Sequence, residues 1–525
     1  MPQNFYIATA IDYTNSAPHI GHAYEKILAD TLARYRRLRG DHVFFLSGVD
    51  QHGQKVQQSA EKQGLAPREF VAALTTRFTE LWAKLDVQYD GWAATVEPQH
   101  QDCVKGILQR LFDEGQLYRA KQGGHYSVRQ EQFLTDKERG SDGEFGPEWG
   151  EVEYREEENY YFKLAEHKDW LLQLIDTRAD LVYPAFRRGE LRNAVEKLTG
   201  DLCISRPKSR LSWGIELPFD PDYVTYVWFD ALVNYISFAP QPYDPRNGED
   251  RAEFASWWPA TIVIGKDILI PAHGIYWMIM LHALGFSDAQ MPPLIVHGWW
   301  NIAGAKISKS LGNVVDPDAL AERYGSDGLR YYLLTDIATG KDADFSEERL
   351  LARYHGDLAN SLGNLVNRTL SMAQRYRAGV IRHADFDSPL RTGAATLLAD
   401  YTRYFEEFQP QAAVAAVSLF LSACNGYIDT KAPWKLAKDP AASAELDGVL
   451  YALGESLRIV AILLSPVLPK ATQGIFDQLN WKLELAGEAR FRLSDAAWGQ
   501  MPSGHEVGKP VPLFPRIEAA ASPAG

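Results

Sequence analysis

The apolar positions of the chain change period several times, and each change marks an element. Residues 5–9 (FYIAT) are a short aromatic and β-branched run, the pattern of a buried strand. Ile20, Ala23, Ile27, Leu28 and Leu32 then keep helical spacing, with Asn15 and Ser16 as N-cap candidates and Pro18 suited to a first helical turn. Residues 42–46 (HVFFL) repeat the strand pattern and end in SGVDQHG, after which helical spacing resumes to about residue 86. Strands alternating with helices predict an α/β fold with a parallel sheet, whose ligands sit at the carboxyl ends of the strands. Between 116 and about 210, Gly, Glu and Tyr accumulate (GSDGEFGPEWGEVEYREEENYY) and β-like segments replace the long helices, as in an insertion. The α/β pattern returns near Tyr223, with strand-like runs at 224–228, 261–264 and 294–296 that end in small or polar residues. From about 347 the pattern is almost wholly helical. There Val414, Val417, Leu421, Cys424 and Ile428 form one apolar stripe. The Pro- and Gly-rich tail from Pro502 is expected to pack back as a strap, loose after Ala519.

Composition narrows the class. A chain of 525 residues exceeds a single core, so several folded units are expected. Acidic residues (68) outnumber basic ones (54), which excludes a general polyanion binder; nucleic acid would have to be met through local patches and base contacts. Cys103, Cys203 and Cys424, odd in number and far apart, fit a reducing compartment. No apolar run approaches the roughly 18 residues of a membrane span, and the N-terminus enters a strand without a signal peptide's regions. A cytoplasmic protein without a membrane partner is expected. The acidic run at 156–158 reads as solvated surface.

The candidate chemistry lies at element ends. His19 and His22, three apart at a helix start, sit where unpaired backbone N–H groups and the helix dipole favour a phosphate. Gly21 between them leaves the backbone open to a flat nucleoside. Far downstream, residues 306–310 (KISKS) supply two lysines and two hydroxyls in a small-residue loop. Together they suggest a triphosphate held between a histidine-bearing helix start and a lysine loop. Taken singly, two such histidines are more often packing, capping or a metal pair, and a Lys-x-x-Lys loop is usually exposed charge. Asp50, at a strand end, either caps the next helix or pairs with a ligand's ammonium group.

Jointly, HIGH (19–22) and KISKS, roughly 280 residues apart, resemble the HIGH and KMSKS signatures of class I aminoacyl-tRNA synthetases, with Ile307 for Met. YTNSAPHIGHAYEKILAD, FLSGVDQHGQK, YVWFDALVNYI, GKDI, NIAGAKISKSLGNVVDP, GNLVNRTLSM and YIDTKAPWKLAKD resemble the methionyl-tRNA synthetase family, over essentially residues 4–518. The resemblance implies a Rossmann-like catalytic domain in two halves, 1–115 and 211–346. Its implied connective-peptide insertion, mixed but β-rich, is 116–210, and an all-α helical-bundle anticodon-binding domain with its strap is 347–525. It implies ATP-dependent activation of L-methionine to the adenylate, with Mg²⁺, and transfer to the 3′-terminal adenosine of tRNA(Met) bearing a CAU anticodon. On this basis His19 and His22 contact phosphates and Lys306 and Lys309 stabilise departing pyrophosphate, Lys309 foremost. Gly21, Gly265 and Asp267 join Lys309 in holding ATP. Ala10, Ile11, Tyr13, Asp50, Trp228, Ala231 and Tyr235 form the methionine pocket, and Asn364, Arg368, Pro433 and Trp434 meet the anticodon. Two other readings compete: another class I synthetase or adenylate-forming relative, and a catalytically silent tRNA-binding paralogue.

The chain departs from the family pattern in four places. Where many members carry a zinc knuckle, Ser127 and Gln130 stand for thiolates, and 104–202 contain no cysteine, so no zinc is expected. The family's pocket histidine falls at Ala272; a one-residue insertion would restore it as His273, which joins the pocket list. Leu232 replaces a frequent Pro. No OB-fold follows residue 525, so a monomer is expected.

Overall fold

The computed structural model describes residues 2–127, 132–134, 138–140, 142–246, 252–302, 305–306, 315–383, 387–482 and 491–518. β1 (Asn4–Thr9) is buried on both faces, as its unbroken apolar run requires of a central parallel strand. The chain leaves it through α1 (Ile20–Arg39) for β2 (His42–Asp50) and, two helices later, β3 (Gly91–Ala94). After α2 (Pro98–Asp113) comes an antiparallel hairpin of β4 (Leu117–Ser127) and β5 (Val152–Phe162). β6 (Val182–Tyr183), two short helices α3 (Val227–Leu232) and α4 (Asn234–Ser237), β7 (Thr261–Gly265), β8 (Leu294–His297) and α5 (Pro317–Thr335) complete this part. The strand order is β3–β2–β1–β7–β8–β6, all parallel, with Asp12–Tyr13 paired beside the end of β2. The chain exits β1 to one side and returns on the other at β7. A crevice therefore opens at the carboxyl ends of these two strands.

Two local expectations are corrected. α1 starts later than Asn15, Ser16 or Pro18 suggest, at Ile20, with His19 as its N-cap. The run at 224–228 is divided: Asp220–Thr225 is a strand in a small antiparallel sheet, and Val227 opens α3, so Trp228 is helical. Periodicity alone cannot separate strand from helix in so short an apolar run. The insertion 116–210 is mixed, as expected: beside its hairpin it holds helices Lys168–Thr177 and Ala185–Glu196, and its β6 extends the parallel sheet.

The rest is a bundle of α6 (Asn364–Arg377), α7 (Pro389–Glu406), α8 (Pro410–Lys431), α9 (Pro433–Leu436) and α10 (Ser443–Leu464). The predicted stripe of α8 is wholly buried. Pro410–Leu436 is long and apolar enough by composition to cross a bilayer, contrary to expectation, but its apolar stripe is spent on bundle packing. One apolar core runs from α1 through α5 into the bundle, and a second lies on the opposite face of the sheet beneath the insertion. The tail packs back through His505–Glu506 against Val380–Ile381; residues beyond 518 lie outside the described ones.

Candidate active site

The start of α1 caps itself. His19 has extended backbone, and its Nδ1 accepts from the Gly21 N–H at 3.1 Å. His22 Nδ1 accepts from the His19 N–H at 3.1 Å, closing a capping box, and the two rings lie 3.8 Å apart. With both Nδ1 atoms accepting, the neutral rings carry their protons on Nε2, a donor suited to phosphate oxygen. A side chain at position 21 would bring its Cβ to 2.9 Å from the His19 ring, so glycine makes room for this arrangement.

These histidines line a cavity of about 440 Å³ at the carboxyl ends of the sheet. The loop after β1 contributes Ala10, Ile11 and Tyr13, and the end of β2 contributes Asp50. Asp50 does not cap the following helix, whose N-cap is Gly53 without a side-chain bond; it is a buried carboxylate facing the cavity. α3 and α4 supply Trp228, Ala231 and Tyr235, and the end of β7 supplies Gly265 and Asp267. A Cβ at 265 would stand 2.7 Å from Asp267 Oδ1, so the glycine lets that carboxylate lie against the strand end.

His273 lines the same cavity. Its segment, Leu269–Trp277, winds with π-type turns, and the His273 N–H bonds to Ile268 O, five residues back. The segment is kinked at Ile270, whose backbone is extended, and the wide turn that follows places His273 at the cavity. Its Nδ1 donates to the Ile268 carbonyl at 3.0 Å, and Nε2 accepts from the Tyr235 hydroxyl at 2.8 Å. Burial pulls its pKa down to about 4, so the ring is neutral and its tautomer is set.

A charged cluster at and behind the cavity wall, of which Asp12, Glu25 and His297 line the cavity, was not singled out by pattern. Lys26, fully buried, pairs with Asp12 and Glu25 at 2.8 Å each and donates to Ala10 O at 2.8 Å, tying α1 to the cavity wall. Glu25 also meets His297 at the end of β8 (3.2 Å). Burial alone would lower the Lys26 pKa, but the two carboxylates raise it on balance. Burial pushes Asp12 up to about 7 against the pull of Lys26, whereas Glu25, also buried, is held below its usual value by Lys26 and His297. The available signal was charge at core-facing positions of α1.

Elsewhere the candidates divide. Lys306 is in a two-residue strand, Ala305–Lys306, paired with Trp300–Ile302, and only its backbone is described; Lys309 lies outside the described residues, as does Gln130. In the bundle, Asn364 is exposed at the start of α6, and Arg368 one turn on pairs with Asp429 near the end of α8 at 2.6 Å. Pro433 is buried while Trp434 beside it is 41% exposed, so this tryptophan is not a core residue. Ser127 donates to the Trp149 carbonyl.

Comparison with known proteins agrees with this geometry. A family model described as tRNA synthetases class I (M) matches residues 5–142 and 149–370, and one described as the anticodon binding domain of methionyl tRNA ligase matches 382–523. The chain is 40% identical to a methionine–tRNA ligase of Deinococcus radiodurans, covering 99% of this chain and 75% of that one. It is 39% identical to that of Bacillus subtilis, covering 99% and 79%. A structure of Mycobacterium tuberculosis methionyl-tRNA synthetase in complex with methionyl-adenylate superposes with a TM-score of 0.90 at 34% identity, covering 98% of this chain and 100% of that one. With its parallel sheet, self-capped HIGH helix and helical bundle, the chain belongs to the methionyl-tRNA synthetase family of class I aminoacyl-tRNA synthetases.

Proposed function

We propose a division of labour within this one cavity for the reaction of a methionine–tRNA ligase, ATP-dependent activation of L-methionine and its transfer to tRNA. The observation that carries it is that every described active-site candidate, from Ala10 to His273, lines the same 440 Å³ space. Asp50 pairs with the methionine ammonium. Tyr13, Trp228 and Tyr235 surround the thioether, where each sulfur–aromatic contact contributes roughly 0.3–1.5 kcal/mol. Ala10, Ile11, Ala231 and His273 complete the pocket. Because His273 already accepts from Tyr235 and donates to Ile268, it offers the thioether no ionic partner, which suits an uncharged side chain.

The methionine carboxylate is already a nucleophile, so its in-line attack on the α-phosphorus needs no general base; positioning and charge stabilisation suffice. His19 and His22 donate from Nε2 to phosphate oxygens, Gly21 lets the nucleotide approach, and Gly265 and Asp267 hold the ribose. Lys306 and Lys309 neutralise the departing pyrophosphate. Mg²⁺ enters on the ATP phosphates, whose charge it offsets, as is usual for this ion; among the described residues no cluster of His, Cys, Asp and Glu is built to hold a metal.

Asn364, Arg368, Pro433 and Trp434 read the CAU anticodon, Trp434 by stacking and Asn364 and Arg368 by base edges. The exposed Trp434 ring supports this. The insertion holds no zinc, and the enzyme is a cytoplasmic monomer. A silent tRNA-binding paralogue is disfavoured by the intact, self-capped histidine pair. Methionine-dependent ATP–pyrophosphate exchange, then aminoacylation of a CAU-bearing tRNA, is the test. Activity with methionine, and with Lys309→Ala a far larger loss in rate than in methionine affinity, is expected. Absence of exchange would overturn the reading.

A further inference from the structure

Asp230 lies in α3 between Trp228 and Ala231, yet it does not line the cavity; it faces inward and is fully buried. It is not a helix cap, since the N-cap of α3, Tyr226, receives no side-chain bond. A buried carboxylate needs partners, and Asp230 has two imidazoles from separate elements. Its Oδ2 is 2.6 Å from His52 Nδ1, and its Oδ1 is 2.7 Å from His100 Nε2. His52, itself buried, stands two residues beyond Asp50 at the end of β2. His100, fully buried in α2, reaches Ser237 Oγ of α4 through Nδ1 at 2.8 Å, and Gln99 beside it donates to the Ser237 carbonyl. One carboxylate thus joins three segments: the strand end that carries Asp50, the rear helix α2, and the α3–α4 pair that carries Trp228, Ala231 and Tyr235. Apolar packing could fill this volume, but it is not directional. Two short charge-assisted hydrogen bonds from different elements fix both distance and angle.

We propose that Asp230 is a positioning residue of the methionine pocket, whose bonds to His52 and His100 set the α3–α4 wall at a defined distance from Asp50. That span separates the site for the ammonium from the site for the thioether. Loss of either bond would leave the nucleotide side, built on α1 and β7, in place. The inference rests on the proposed methionine pocket.

The test is Asp230→Asn, which keeps the volume but replaces one accepting oxygen with an amide that cannot accept from an imidazole N–H. In ATP–pyrophosphate exchange, KM for methionine should rise about tenfold or more, while KM for ATP and kcat at saturating methionine stay within about threefold. His100→Gln keeps a donor near the Nε2 position and should behave nearly as wild type, whereas His100→Leu should show the methionine defect. Methionine affinity from the change in tryptophan fluorescence gives the same comparison without turnover. If Asp230→Asn fails to fold, the two His100 variants carry the test. Unchanged methionine KM, or equal rises in both KM values, would overturn the inference. Wild-type protein that exchanges no pyrophosphate would overturn the proposed function, and this inference with it.

Discussion

At the scale of single residues, hydrogen-bond direction decides the chemistry. His19 and His22 each use Nδ1 as an acceptor for backbone N–H groups, so the same bonds that start α1 choose the tautomer presented to a ligand. His273 is neutral for a different reason: burial, with Tyr235 and Ile268 occupying both ring nitrogens. Its folded pKa of about 4 lies below the unfolded value near 6.5. The unfolded chain therefore binds the extra proton first. The stability contributed by neutral His273 is full above about pH 6.5 and is lost as pH falls toward 4, about 3 kcal/mol in all. Asp12, raised by burial to about 7, acts in the opposite sense, favouring the folded state as pH falls through that value. The difference between wild type and His273→Gln isolates the histidine. Urea unfolding from pH 7.5 to 4 should show a gap that narrows as pH falls; a constant gap would mean the ring is not held neutral.

At the scale of elements, the insertion hairpin is held by backbone pairing and by cations stacked on an aromatic ring. β4 and β5 pair continuously from Leu117↔Phe162 to Ser127↔Val152, an eleven-residue ladder. Tyr126 lies under the guanidinium groups of both Arg155 (4.8 Å) and Arg210 (4.0 Å), packing that contributes roughly 0.5–2 kcal/mol per contact. The Ser127 hydroxyl is committed to the Trp149 carbonyl. Purified enzyme should accordingly contain no stoichiometric zinc and keep its exchange activity after chelation with excess Mg²⁺ restored. Elemental analysis finding one tightly bound zinc per chain would contradict this.

At the scale of the whole molecule, α1 serves two neighbours. Its first turn faces the cavity, and its later turns meet the bundle, where Tyr35, Arg36 and Arg39 all contact Glu406 of α7. Arg330 of α5, fully buried, pairs with Asp30 of α1 at 2.7 Å and donates to the carbonyls of Pro466 and Val467. Arg330→Met would leave Asp30 with one cation fewer in the interior, and a broken buried pair costs about 3–5 kcal/mol. The chevron midpoint in urea should fall accordingly, whereas an unchanged midpoint would place the joint between the two parts elsewhere. Trp434 tests the opposite end. Since it is 41% exposed, Trp434→Ala should hardly change stability. Aminoacylation efficiency should fall by roughly 5- to 150-fold, the loss of about 1–3 kcal/mol of base stacking. Pyrophosphate exchange, which needs no tRNA, should stay near wild type; equal losses in both assays would refute a role confined to tRNA.

Much of this was legible without coordinates, because local pattern carries it. The unbroken apolar runs of β1 and β2 and the stripe on α8 follow from side-chain period and pointed to the α/β class and the helical bundle, whereas the family was reached by the resemblance of the HIGH and KISKS segments and the stretches around them. Tertiary structure decided what depends on partners far along the chain. The start of α1 is the exception, a local choice that composition did not reveal: the His19 ring, rather than Asn15 or Ser16, reaches the Gly21 N–H two residues on. Lys26 could be buried only because Asp12 and Glu25 close around it, and Asp230 only because His52 and His100 arrive from elements 178 and 130 residues away. For the two buried charges the physical reason is the same. Hydrophobic period is a property of neighbours in sequence, whereas a charge survives in the interior only if it meets a partner there, and for Lys26 and Asp230 other segments bring it: the loop after β1 carries Asp12, and β2 and α2 carry His52 and His100.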